Sequence, residues 1–164
     1  FAITAEKSAQ SQAELLVRNL GGRPVFVPAA VKPLYHAACV LSSSHLVVLL
    51  NAIGELSRIA GLAAPWTEVF GPLLTTAMAN TLKLSAHDAL TGPVVRGDLE
   101  TLREHLDALA KFAPQFIPLY TVQTVEVARL ARGGGRIGDD TYTAIVAMIR
   151  RQVRAFSPKP KRTK

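Results

Sequence analysis

Residues 32–60, KPLYHAACVLSSSHLVVLLNAIGELSRIA, decide the fold. Read as one helix, these residues span about 43 Å at 1.5 Å per residue. One face carries His36, Val40, Val47 and Leu50, and the opposite face Leu34, Leu41, Val48, Ala52 and Leu56. A helix apolar on both sides belongs at the centre of a bundle. Gly61 ends it.

Toward the N-terminus the pattern changes. Phe1 to Thr4 and Pro24 to Val27 are short β-like runs. Between them, Ala9 to Leu20 places Ala13, Leu16, Val17 and Leu20 on one helical face before Gly21-Gly22 stops the helix. This reads strand, helix, strand, as in the last unit of a parallel sheet. Two strands alone do not make a stable parallel sheet, so the rest of a sheet is expected to lie elsewhere.

Toward the C-terminus everything reads as helix. Pro65 opens a segment to about Lys83, with Glu68 near its positive end. Asp98 is placed to cap a helix reaching Leu109. Pro114 opens another to about Ala131, and Asp139 or Asp140 a last one to about Phe156. The expected organisation is a strand-helix-strand piece over 1–28, a helical domain over 29–156 and a disordered basic tail over 157–164.

Composition narrows the function classes. The 164 residues suit a single domain, and 49% apolar against 19% charged content excludes disorder of the whole chain. Uninterrupted apolar stretches such as Leu46 to Leu50 are far too short to span a bilayer. One cysteine, Cys39, excludes an internal disulfide framework and a thiolate-rich zinc site, and a reducing, cytoplasmic setting is expected. The sequence opens at Phe1 without Met or a targeting segment, so processing or a longer parent chain is expected.

The net charge of +7 is localised. Arg150, Arg151, Arg154, Lys159, Lys161, Arg162 and Lys164 account for the whole excess, and residues 1–149 balance at 12 of each sign. Such a tail is either a solubilising terminus or a weak contact for an acidic surface. Aromatic residues do not interleave with the basic ones, so no stacking platform for nucleic acid is visible.

Three stretches are candidates for chemistry. Gly133 to Gly138 fits the dinucleotide pattern G-x-G-x-x-G, yet the segment before it is helical where the fingerprint needs a strand. It reads as an interhelical loop. His36 and His45 are about 900° of rotation apart and cannot share a metal on one helix, while His87 and His105 have no supporting cluster. No metal site is expected. Ser42, Ser43, Ser44 and His45 form a polar set within an apolar helix, and Ser43 lies seven residues from His36 on its face. Burying such a set is costly unless it lines a cavity or pairs with neighbours. Finally, Thr91-Gly92-Pro93-Val94-Val95-Arg96-Gly97-Asp98 makes a turn that sets Arg96 beside a helix N-terminus, where a carboxylate or phosphate is favoured. Asp98, as cap, competes for the same N–H groups.

Leu34-Tyr35-His36-Ala37-Ala38-Cys39-Val40-Leu41 and Ala89 to Asp98, with Leu20 to Pro24 and Thr101 to Leu106, carry a resemblance over residues 1 to about 131. They resemble the C-terminal domain of unknown function that follows a Rossmann domain in bacterial proteins classed as NAD(P)-dependent oxidoreductases. That family looks like the helical half of phosphogluconate dehydrogenase and pyrroline carboxylate reductase relatives. The resemblance implies a mainly α helical bundle of the phosphogluconate dehydrogenase C-terminal-domain-like type, after a short remnant of a Rossmann-type sheet. It implies a homodimer, a small-molecule substrate, and NADP or NAD bound mainly by an N-terminal Rossmann domain outside these residues. It implies His36 and Ser43 as catalytic groups, with Ser44, Thr91, Gly92, Pro93, Arg96 and Asp98 on the substrate. In that scheme His36 protonates a small carbonyl or imine during reduction, Ser43 and Thr91 bond the reacting group, and Arg96 holds a carboxylate. The alternative is a non-catalytic α-helical dimerisation or scaffold module, in which the same motifs only pack. A third reading, acidic polymers on the tail, predicts salt-sensitive binding lost with residues 157–164.

Overall fold

The computed structural model describes residues 1–156, with side chains to Arg154; the basic stretch 157–164, expected to be a disordered tail, lies outside the described residues. The chain is mainly α, with two short strands near its start. It divides into two compact units, Phe1–Asn51 and Ala52–Lys164.

In the first unit β1 (Ala2–Ile3) pairs in parallel with β2 (Val25–Phe26), in the register Ala2 to Val25 and Ile3 to Phe26. The crossover is α1 (Gln10–Asn19), entered through a 3₁₀ turn over Lys7–Ala9. Gly21 ends it at φ +72°, and the Gly22 N–H reaches back to the Val17 carbonyl, the bonding that a left-handed residue after a last turn permits. The expected strand-helix-strand order is thus present. Of the apolar face, only Val17 is buried, with Ile3, while Leu16 and Leu20 are exposed. Both β2 side chains, Val25 and Phe26, are exposed as well.

The long helix follows as α2 (Lys32–Val40), a π turn over Leu41–His45, and α3 (Leu46–Ile59). The π turn has a local cause. The Ser42 and Ser43 hydroxyls donate to the Ala38 and Cys39 carbonyls at 2.8 and 2.7 Å, and such back-bonding competes with the helix ladder. The expectation of a bundle centre is corrected here: from Lys32 to Leu49 every residue except Val40 is exposed, Leu34 at 72% and Val47 at 64%. Helical periodicity reports that a face is apolar, not what covers it. The uninterrupted apolar stretches are short, but the helical run Ala29–Ile59 taken whole is long and apolar enough to cross a membrane by length and composition.

The second unit continues with α4 (Trp66–Lys83), α5 (Ala86–Ala89), α6 (Pro93–Arg96), α7 (Leu99–Phe112), α8 (Ile117–Gly133) and α9 (Asp139–Phe156). Its core forms where α6, α7, α8 and α9 meet: Val94, Leu102, Leu106, Ala128, Ala131, Ile137, Ile145 and Ile149. Small residues at Ala128 and Ala131 let the helices approach closely. A smaller cluster, Leu109, Ala113 and Ile117, packs against Leu56 and Ile59 of α3. The buried hydroxyls of Ser57, Thr121 and Thr124 are satisfied within their own helices, by the carbonyls of Ile53, Ile117 and Tyr120. Arg132 ties the start of α9 to α8, pairing with Asp139 at 2.7 Å and lying over the Tyr142 ring.

Candidate functional site

Three places in the fold are candidates for a functional site, two of them containing the residues that the sequence singles out. The first is the His36–His45 stretch. His36 stands exposed on α2, and Ser43 and Ser44 stand exposed in the π turn. Ser43 spends its proton on the Cys39 carbonyl, so its oxygen is left as an acceptor. One turn before Cys39, the Tyr35 hydroxyl sits against that thiol, and this hydrogen bond raises the phenol above its ordinary value. The polar set is therefore accommodated by exposure and helix back-bonding, not by a buried cavity.

The second is the Thr91–Asp98 turn. Gly92 adopts φ +96°, Pro93 occupies the first turn of α6, and Val94 is buried in the core. Thr91 and Arg96 are exposed, whereas Asp98 is half-buried. Asp98 caps α7: its carboxylate accepts the Thr101 N–H at 3.0 Å and the Thr101 hydroxyl at 2.8 Å. Those two bonds, the backbone one first, hold the carboxyl below its ordinary value. Arg96 approaches the same carboxylate at 3.8 Å. An anion at this helix start would meet a carboxylate already seated there, with the exposed Arg96 beside it.

These residues fall in different units. His36, Ser43 and Ser44 belong to the first, and Thr91, Gly92, Pro93, Arg96 and Asp98 to the second.

The glycine pattern at 133–138 resolves as a helix end. Gly133 closes α8, Gly135 takes φ +69°, and the Arg136 N–H bonds the Ala131 carbonyl across it. Gly134 lies against His87, whose Nδ1–H donates to the Leu130 carbonyl at 2.8 Å. These glycines serve packing and chain reversal after a helix. A crevice of about 450 Å³ does open at the carboxyl ends of β1 and β2, lined by Thr4, Glu6, Gln10, Phe26 and Pro28 among others. Among the described residues no group of three or more His, Cys, Asp or Glu is placed to hold a metal ion.

The third place was not foreseen. A cavity of about 570 Å³ lies in the second unit, walled by Leu56, Ile59, Leu109 and Phe112, with His105 and Tyr120 as its polar members. The Tyr120 hydroxyl and His105 Nδ1 are 2.7 Å apart, and the rings meet edge to face at 85°. Burial pushes the Tyr120 phenol up, so it holds its proton. His105 was visible in the sequence, but its partner lies 15 residues on, in the next helix, where no helical spacing connects them.

A strand-helix-strand start followed by a helical domain is the class of protein that this fold defines. Within that class, the family model for the domain of unknown function DUF2520 matches residues 1–127, and the chain belongs to that family. No curated protein and no solved structure matches it.

Proposed function

We propose that this chain is the substrate-binding and dimerisation half of an NAD(P)-dependent oxidoreductase that reduces a small carbonyl or imine. The observation carrying the proposal is the parallel β1–β2 pair with its crossover helix and the crevice at the strands' carboxyl ends. In open α/β sheets, ligands bind outside those ends. Two strands give only the margin of such a crevice, so the nucleotide and its hydride would come from a Rossmann domain outside these residues. The task of this chain is binding and proton delivery. His36 is exposed and would give a proton to the nascent alkoxide or amine. Ser43 and Thr91 would bond the reacting group, with Ser44, Gly92 and Pro93 shaping its surroundings. Arg96 would hold a substrate carboxylate, and Asp98 would act through the turn it caps. The bare apolar face of α2 and α3 would be covered by a second copy of the chain.

The test is NADH and NADPH oxidation by the intact native gene product over a panel of small ketones, aldehydes and cyclic imines. Turnover that falls about 10²- to 10⁴-fold in His36→Ala, with dimerisation intact, is the expected result. Unchanged turnover removes His36 from the chemistry.

A second reading, a non-catalytic dimerisation or scaffold module, is favoured by how much of the candidate machinery is already engaged. Ser43 donates within its helix and Asp98 caps α7. Dimerisation of the intact product without reduction of any substrate in the panel would select it.

A further inference from the structure

We propose that the cavity between α3, α7 and α8 binds a small neutral molecule with an apolar body and a single carbonyl or hydroxyl oxygen, which the His105–Tyr120 pair recognises. This inference is independent of the oxidoreductase reading, because it concerns a cavity that contains none of the residues named there.

Size comes first. At about 570 Å³ the space falls among ordinary small-ligand pockets. Leu56, Ile59, Leu109 and Ala113 supply aliphatic wall, and Phe112 is an exposed phenyl ring at the cavity. An apolar body of roughly eight carbons has enough wall here to bury much of its surface, which favours binding.

Polarity then narrows the ligand. No Asp, Glu, Lys or Arg lines the cavity, and Lys111, stacked 4.8 Å over the Phe112 ring, is not among the lining residues. A ligand charge would meet no Asp, Glu, Lys or Arg partner here and would lose part of its hydration against the apolar wall. The His105–Tyr120 pair is the one polar feature, and its chemistry is specific. With the phenol donating to Nδ1, the Nε2–H of His105 remains a donor, and the phenol oxygen, which also meets the Thr124 hydroxyl, keeps acceptor capacity. A carbonyl oxygen can take the donor, and a hydroxyl can use both. The edge-to-face contact fixes the two rings before any ligand arrives, so little ordering is needed on binding.

The experiment is calorimetric titration of the full chain with 2-octanone and, separately, with octanoate, both at neutral pH. The ketone should bind saturably, and the acid at least about tenfold more weakly. Tyr120→Phe removes one hydroxyl and should weaken the ketone about 3- to 10-fold. Ala108→Phe places a ring into the cavity from an exposed position on α7 and should abolish binding of the ketone. Circular dichroism shows whether both variants are folded. If Tyr120→Phe does not fold, the carbonyl carbon resonance of 2-octanone labelled at C2 reports the same bond in the unaltered protein, moving downfield when bound. Absence of saturable ketone binding overturns the proposal. So does octanoate binding as tightly as the ketone, and so does ketone affinity unchanged by Ala108→Phe.

Discussion

Gly134 packs so closely on His87 that a Cβ at that glycine would stand 2.6 Å from the His87 Cβ. The contact joins the end of α8 to α5, where the His87 ring also bonds the Leu130 carbonyl and its own carbonyl accepts from Arg136 at 3.3 Å. Gly134 has an ordinary backbone angle, φ −89°, so only space is at issue. Gly135 is the reverse case, with φ +69° and open space around it.

The two positions therefore predict different penalties. Gly134→Ala should destabilise by about 1–3 kcal/mol through overpacking, and Gly135→Ala by about 1–2 kcal/mol through backbone conformation alone. Adding His87→Ala should recover part of the loss at Gly134 and none at Gly135. Urea melts of the two glycine variants, His87→Ala alone and the two double variants close both cycles.

The cap of α7 predicts a pH dependence. Asp98 has its carboxyl pKa lowered by the Thr101 bonds, so the stability it contributes is present above the unfolded-state value near 3.9. That stability is lost as pH falls through the lower, folded-state value. Asp98→Ala should lower the melting temperature by about 2–4 °C at pH 7, and the gap to the parent should close at acid pH. Asp98→Asn keeps an acceptor at the cap and should lie near the parent at pH 7. Thermal melts across pH 2–7 check the sign. A gap that widens toward acid would contradict the capping account.

The uneven legibility of this fold in its sequence has physical causes. Val25-Phe26 and Gln10–Asn19 were readable because strand and helix signals are local, and Asp98 because a cap is a local device. The parallel pairing followed from order alone. Ala86–Ala89 and Pro93–Arg96 were not readable as helices, since one turn offers no period to detect. His36 and Ser43 were legible as a polar interruption, but their exposure was not, because an apolar helix looks the same whichever surface covers it. The His105–Tyr120 pair is purely tertiary and had no local signal.

Core substitutions should separate packing from surface effects. Ile145 and Leu106 are almost wholly buried where α6, α7, α8 and α9 converge. Leu106→Ala or Ile145→Ala should cost about 2–5 kcal/mol. Leu82→Ala, at an 83% exposed site on α4, should cost under about 0.5 kcal/mol. Equal losses at the buried and exposed sites would mean that α4 is covered in solution.

The bare face of α2 and α3 yields the sharpest prediction about assembly. Leu34, Leu41 and Val48 are exposed along nearly four turns of helix, and an apolar surface of this kind is ordinarily covered. If a second copy covers it, the face should join an interface of roughly 1,200–2,000 Å² with these residues near its middle. Losing one such side chain forfeits about 1.5–3 kcal/mol, and burying a lysine in its place adds to that. Val48→Lys should therefore raise the dimer dissociation constant at least about tenfold while leaving the folded monomer intact, since Val48 packs on little of its own chain. Sedimentation equilibrium of parent and variant reads this directly. The same helix is apolar and long enough for a bilayer, so flotation with neutral phospholipid vesicles is the companion measurement. Dimerisation without flotation assigns the face to a second copy. Flotation abolished by Val48→Lys, with no dimer at any concentration, assigns it to lipid and removes the dimer from the proposed function.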